Sequence, residues 1–465
     1  MRPINQDARD RLDAVLRANA PASAADLAKT LGVSVPTLLR MLKEQGLRVV
    51  RIGATKSARY ALRRPLRGMT NPIPVYRVDE QGRGHNAGAL DLIQPEGSVL
   101  DLQAMGWPTG QEHRFGRWEG LPYPLYDMQP QGFLGRGFAR RHHADLMVPS
   151  NPQDWSDDDI VYVLSRLGSD TPGNLILGNP AYARWLASIA NPDVPVSGDA
   201  LAAHYADLAN LAASLGVEGS SAAGEFPKFT ASRERVGSST PQVIVKFSGA
   251  EPSSTVRRWA DLLVCEHLAL VVLEESAGIP AARSRILEAS GRTFFEVERF
   301  DRHGAFGRSA SVTLDVLNVA LIGGRERAWP DLVGKLVTMK LAPADIAESV
   351  RVLWWFGKLI GNTDMHLGNL SFRLAHAASS QVGLALTPAY DMLPMLYAPF
   401  AGGEIPMSVF SPELPWPRER EAWVTACKSA LSFWRNAGDD GRISEPFRAI
   451  CRDNWMKLSE LSERA

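Results

Sequence analysis

The chain has 465 residues, 45% of them hydrophobic and 22% charged, values that exclude a disordered or fibrous protein and leave length for about three domains. Lys and Arg balance Asp and Glu, so net charge is zero. The longest apolar runs, such as 268–273, are too short to span a bilayer, and the start MRPINQDARDR lacks an apolar signal region, so no membrane partner and a cytoplasmic address are expected. Cys265, Cys427 and Cys451 are far apart and without CxxC spacing, which argues for core residues rather than a disulfide framework or a zinc site.

Charge is unevenly distributed. Residues 1–67 hold 14 Lys or Arg against 5 Asp or Glu, leaving the remainder acidic by nine. Within this segment, residues 7–19 carry Leu12, Val15 and Leu16 at helical spacing. Ser23 and Asp26 form a capping box for a second helix through Leu31. A third follows in "VPTLLRMLKEQG", with Ser34 as cap, Pro36 in the first turn and Gly46 at the stop. Leu38, Leu39 and Leu42 are expected inside, leaving Thr37, Arg40 and Lys43 outside. "RVVRIGATKSARYALRR" then predicts two strands around a turn, with Arg51, Lys56 and Arg59 displayed. A winged helix-turn-helix DNA-binding domain over 1–67 fits this order; a protein-interaction module with a solvated basic face is the alternative. A winged helix often reads two half-sites, which leaves a homodimer open.

"RRPLRGMTNPIP" is expected to be a linker, opening a subdomain over 68–145 whose short strand-like pieces suggest no chemistry. Adjacent His142 and His143 have poor ligand geometry and read as surface residues. Two lobes are expected beyond it, over 146–305 and 306–465. The aromatic-rich region from Pro412 onward reads as helical packing.

Chemistry concentrates in five stretches. In "GNTDMHLGNLSF", Asp364 and Asn369 stand five apart, the spacing of a catalytic loop in which Asp accepts a hydroxyl proton and Asn holds a metal ion. Alone, the match equally suits backbone capping. Upstream, "QVIVKF" is an apolar strand interrupted by Lys246, either a phosphate-pairing lysine or an edge-strand guard. "WADLLVCEHLALVVLEESAGI" reads as a helix whose Glu266 can pair with Lys246. "GLALTPAYDMLP" ends a strand at Asp391, where a carboxylate can meet the metal or merely form a turn. "EGSSAAGEFPKFTAS" is a small-residue loop able to approach phosphates, with Gly224 in it and Lys228 as a second cation.

The set "SAAGEFPKFTA", "VIVKFSG", "VERFDR", "NTDMHLGNLSF" and "LTPAYDMLP" resembles the HipA-like serine/threonine kinases, bacterial toxins of toxin–antitoxin systems. The similarity spans roughly residues 72–450, and the basic head looks like a variant with the DNA-binding part fused in one chain. The resemblance implies an α+β, two-lobed, protein-kinase-like body using ATP and Mg²⁺. It implies Lys246 on the ATP phosphates, Glu298 and Phe300 at the adenine hinge, Asp364 as catalytic base, His366 near the phosphates, and Asn369 and Asp391 on Mg²⁺. Ser221, with Ser220 beside it, falls where family members carry an autophosphorylation serine. Phe226 stands where the family usually has Gln.

The leading expectation is an ATP- and Mg²⁺-dependent protein serine/threonine kinase of toxin type, acting on translation-linked proteins and binding DNA, its own operator, through its head. A transcription regulator with an inactive or nucleotide-sensing kinase-like half, and a small-molecule phosphotransferase, are the alternatives.

Overall fold

A computed structural model describes residues 6–54, 57–113, 115–215, 225–234, 237–375, 383–400 and 402–464. Lys56, Ser220, Ser221 and Gly224 lie outside the described residues. The chain mixes helix and sheet.

The first segment runs α1 (Gln6–Asn19), β1 (Ala22–Ser23), α2 (Ala24–Leu31), α3 (Val35–Glu44), β2 (Val49–Ile52) and β3 (Arg59–Leu62), with sheet order β1-β3-β2. Local chemistry sets the boundaries. Ser23 accepts the Asp26 amide at 3.2 Å and Ser34 that of Thr37 at 3.4 Å, satisfying first-turn N–H groups. Gly32 closes α2 in the left-handed conformation. On α3 the inward face is Leu38, Met41 and Leu42, whereas Leu39 is 41% exposed. The expectation that Leu39 points inward is corrected: at 100° per residue it is rotated off the stripe that Leu38 shares with Met41 and Leu42.

The middle segment comprises β4 (Ile73–Val78), β5 (Gly84–Leu92), β6 (Ser98–Val99), β7 (Arg117–Trp118), α4 (Pro124–Asp127), α5 (Gly132–Leu146), α6 (Asp157–Leu167), β8 (Leu175–Leu177) and α7 (Asn179–Ala190). Its five strands form one sheet, order β7-β6-β5-β4-β8. Because β8 pairs with β4, Val75 opposite Leu177, the boundary expected at 146 falls inside this unit. Strand pairing joins segments about a hundred positions apart, which local composition does not signal.

The residues expected to be a linker are instead docked. Arg64 N donates to Leu92 O at 2.7 Å and Gln94 N to Leu62 O at 2.9 Å, so the backbone leaving β3 runs beside the end of β5. Val50, Ile52 and Ala61 pack with Ile93 in a small shared core. Arg63 pairs with Asp91, Arg64 with Asp158 and Arg67 with Asp159. Three of the head's cations are thereby neutralised within the molecule.

The body begins with α8 (Gly198–Leu215), followed by β9 (Lys228–Ser232), β10 (Gln242–Phe247), α9 (Ser254–Ala277), β11 (Ser284–Ala289) and β12 (Arg292–Glu298). The antiparallel sheet order β11-β12-β10-β9 makes β10 a central strand. Short strands β13 (Arg302–His303), β14 (Gly307–Arg308) and β15 (Val312–Thr313) lead through α10 (Leu314–Leu317) to α11 (Trp329–Thr338) and α12 (Ala344–Leu359). Then come β16 (Ser371–Ala375), β17 (Gly383–Leu386), α13 (Arg420–Asp439) and α14 (Glu445–Ser462). Trp423, Phe433 and Trp434 are buried between these helices, and all three cysteines are buried and unpaired. Among the described residues, no helix is long and apolar enough to cross a membrane.

Candidate active site

Between the four-stranded sheet and the helical half lies a cleft of about 570 Å³, lined by residues that include Lys228, Lys246, Glu266, Glu298, Phe300 and Asp391. Lys246 reaches it from β10. Since β10 is flanked by β9 and β12, the edge-guard reading of this lysine is excluded. The residue is 6% exposed, and Nζ donates to Glu266 Oε1 at 2.7 Å, to Oε2 at 2.8 Å, and to Asp391. Burial alone would pull the ammonium down, but Asp391 and Glu266 outweigh it and hold the amine charged, above its usual value. Burial lifts Glu266 to about 7, with Asp391 adding to the rise and Lys246 opposing it. Asp391 resists the same burial and falls to about 2 because Lys246 and Lys228 face it.

The polar stretch after α12 is a wired turn. Trp434 Nε1 donates to Leu359 O at 3.0 Å, covering a terminal helix carbonyl, and Gly361, at φ +73°, lets the chain reverse. Asn362 then joins both acids: its Oδ1 accepts the Asp364 amide at 3.0 Å while its Nδ2 donates to Asp391 O at 3.2 Å. Asn369 Nδ2 donates to Asp364 O at 2.8 Å, and Tyr390 Oη to Gly368 O at 2.8 Å. Capping and convergence therefore coexist here. The Asp364 side chain is exposed, and Asp391 occupies φ +54°, a conformation non-glycine residues adopt at a cost and that clusters at functional sites.

The remaining expected residues divide. Phe300 lies at the cleft, its ring 5.5 Å from that of Tyr390. Glu298 also lines it, but its carboxylate accepts from Arg233 at 3.1 Å and Ser238 at 2.8 Å. His366 is exposed, stands off the cleft wall, and uses Nδ1 to accept the Gly368 amide at 3.1 Å. Lys228 faces the cleft while pairing with Glu225 at 3.1 Å. Phe226 is buried against Trp259, ring centroids 4.6 Å apart, and does not line the cleft. In the head, Lys43, Arg51 and Arg59 are exposed. Thr37 is half-buried with Oγ1 2.9 Å from Ser34 Oγ, and Arg40 is half-buried with its Nε enclosed; neither stands fully outside as expected.

Sequence reasoning missed the wall contributed by the middle segment. Leu134, Gly135 and Phe138 of α5 and Val163, Leu164 and Leu167 of α6 line the cleft opposite the sheet. Asp127 enters beside them. Both its oxygens accept from Thr313, N at 2.6 Å and Oγ1 at 2.8 Å, and burial raises it to about 6 despite those bonds. Glu225 accepts from Phe133 N at 2.9 Å and Arg136 at 2.7 Å, tying the segment before β9 to the first turn of α5. An acid within the apolar run "LPYPLYDM" was the one local signal.

A phosphate-bridged Mg²⁺ needs few protein oxygens. Of the two residues expected on such an ion, Asp391 lines the cleft and Asn369 does not; the Asn369 amide nitrogen is committed to Asp364 O, leaving its oxygen as an acceptor. Among the described residues, no group of three His, Cys, Asp or Glu is placed to hold a metal ion.

Residues 69–186 match the family described as YjjJ-like toxin, middle domain, and residues 220–441 match the HipA-like C-terminal domain. The chain is 36% identical to Toxin YjjJ of Escherichia coli (strain K12) over 445 residues, 96% of each protein. It is 31% identical to Putative kinase Y4dM of Sinorhizobium fredii over 150 residues, 32% of this chain and 34% of that one. Among solved structures it is similar to Shewanella oneidensis MR-1 HipA, determined with HipB and operator DNA, at 15% identity and TM-score 0.46, covering 84% of this chain and 97% of that one. The chain belongs to the HipA-like toxin family, with YjjJ as a relative along nearly its whole length.

Proposed function

We propose that the protein is an ATP- and Mg²⁺-dependent protein serine/threonine kinase of toxin type. The observation that carries this reading is the convergence of Lys246, Glu266 and Asp391 within one cleft, with Asn362 joining Asp391 to the Asp364 loop. Lys246 neutralises nucleotide phosphates, and Glu266 keeps its amine oriented while the cleft is closed to water. Asp364, exposed and with its backbone held by Asn362 and Asn369, accepts the proton of an incoming hydroxyl. Asn369 and Asp391 hold Mg²⁺, which supplies charge stabilisation on the phosphates when bound. Glu298, through its backbone, and Phe300, through its ring, would hold the adenine, and the apolar residues of α5 and α6 that line the same cleft would exclude water from it. A protein hydroxyl, on a translation-linked target or at Ser220 or Ser221, is the acceptor.

The basic first segment, in this reading, is a winged helix-turn-helix that binds DNA, with Lys43, Arg51 and Arg59 as phosphate contacts and the protein's own operator as target. Its helix order and its three-stranded sheet support this assignment. Incubation of purified protein with Mg²⁺ and γ-labelled ATP, read by mass spectrometry at Ser220 and Ser221 and on added cell extract, tests the kinase assignment. No label on either, with only small hydroxyl compounds phosphorylated, identifies a small-molecule phosphotransferase instead.

A further inference from the structure

We propose that Arg64 and Arg67 form a clamp through which occupancy of the cleft is transmitted to the first segment; the inference rests on the nucleotide reading of that cleft. The two arginines stand where the chain leaves β3, and they grip two helices of the middle segment at their far ends. Arg67 donates to the carbonyls of Leu146 and, at 3.1 Å, Met147, which close α5. It also pairs with Asp159 at 2.6 Å, and its guanidinium lies 4.1 Å from the Tyr162 ring centre. Arg64 pairs with Asp158. Both acids sit in the first turn of α6, where negative charge also complements the helix dipole.

The other ends of the same helices wall the cleft: Leu134, Gly135 and Phe138 near the start of α5, and Val163, Leu164 and Leu167 near the end of α6. At 1.5 Å per residue α6, with 11 residues, is a stiff rod of about 16 Å and α5, with 15, one of about 22 Å, so displacement at one end is felt at the other. A second link runs alongside. Asp157, the first residue of α6, accepts from Tyr126 Oη at 3.2 Å, and the neighbouring Asp127 lines the cleft. The first segment cannot absorb such a displacement by swinging freely. Its exit is fixed by the backbone bonds of Arg64 and Gln94 and by the Val50, Ile52, Ala61 and Ile93 core.

A ligand that presses against α5 and α6 therefore acts on the clamp, and by linkage any partner of the first segment alters ligand affinity by the same factor. Residues 63–67 are a transmission joint, not a tether.

The test uses the full chain with Mg²⁺ and the non-hydrolysable analogue AMP-PNP. Calorimetry gives its affinity, and hydrogen exchange with and without it follows residues 59–69 and 143–162. Bound AMP-PNP is expected to slow exchange in both segments. Arg64→Asp is expected to weaken AMP-PNP binding about fivefold, within the usual range of inter-site coupling, and to abolish the protection at 59–69. The swapped pair R64D/D158R restores both, which separates the clamp from general loss of folding. Binding with unchanged exchange at 59–69, or with equal affinity in Arg64→Asp, overturns the clamp alone. Failure of the wild type to bind AMP-PNP overturns the nucleotide reading and the clamp with it.

Discussion

Lys246 and Asp391, 145 positions apart, share an ion pair at the centre of the cleft, and Glu266 completes it from α9. One amine faces two carboxylates in a buried site, and Lys228 adds a second cation facing Asp391. Burial and Asp391 keep Glu266 high while Lys246 and Lys228 keep Asp391 low; the acid that stays ionised is the one suited to a metal ion.

Removing the amine separates stability from chemistry. Lys246→Met leaves two buried carboxylates facing one another and is expected to cost about 3 kcal/mol, as breaking buried ion pairs does. Adding Glu266→Gln should recover much of that loss without recovering phosphoryl transfer. Urea unfolding together with a labelled-phosphate assay checks both outcomes.

Asp364 and Asp391 should behave differently when truncated. Asp364 is exposed, so Asp364→Ala is expected to leave the melting temperature nearly unchanged while slowing transfer on the order of 10²- to 10⁴-fold. Asp391→Ala removes a partner of Lys246 and places alanine at φ +54°, so both activity and melting temperature fall. Equal transfer by Asp364→Ala and wild type would remove that residue from the chemistry.

Asp127 predicts a pH dependence. Its pKa rises on folding from 3.8 to about 6 because burial disfavours the carboxylate, so the native state binds more protons than the unfolded chain between those values. Its contribution is then most favourable below pH 4 and is lost as pH climbs to about 6, by roughly 2–3 kcal/mol. Asp127→Asn keeps one acceptor and gains a donor for the Thr313 hydroxyl. It should flatten this window in stability measured from pH 4 to 7.

The first segment makes a salt-dependent prediction. Arg51→Ala or Lys43→Ala should weaken DNA binding and lower the slope of log affinity against log salt by about one for each phosphate contact removed. Arg40, half-buried, should cost stability as well. Anisotropy with labelled duplex across a KCl series measures the slope, and an unchanged slope in all three variants points to protein interaction instead.

Much of the cleft was legible because its motifs are local. The lysine inside "QVIVKF" and the aspartate ending "LTPAYD", both on the cleft wall, stand out within a few residues of sequence. Glu266 was legible for the same reason: it lies one helix after Lys246. The caps of α2 and α3 were readable since Ser23 and Ser34 act on amides three positions ahead. The inward placement of Leu39 was not, because the helix buries a narrower stripe than its run of leucines implies.

The amino-acid order alone determined the helix caps, a lysine interrupting an apolar strand and the separation of a basic head from an acidic remainder, since each depends on neighbours within one or two turns; that the strand is central was decided by the sheet order. Tertiary structure alone decided that Arg63, Arg64 and Arg67 would be spent on Asp91, Asp158 and Asp159, that β8 would join β4, and that α5 and α6 would wall the cleft. Those outcomes turn on which distant surfaces bury one another, and neither a run of arginines nor a run of aspartates records its partner in its own composition.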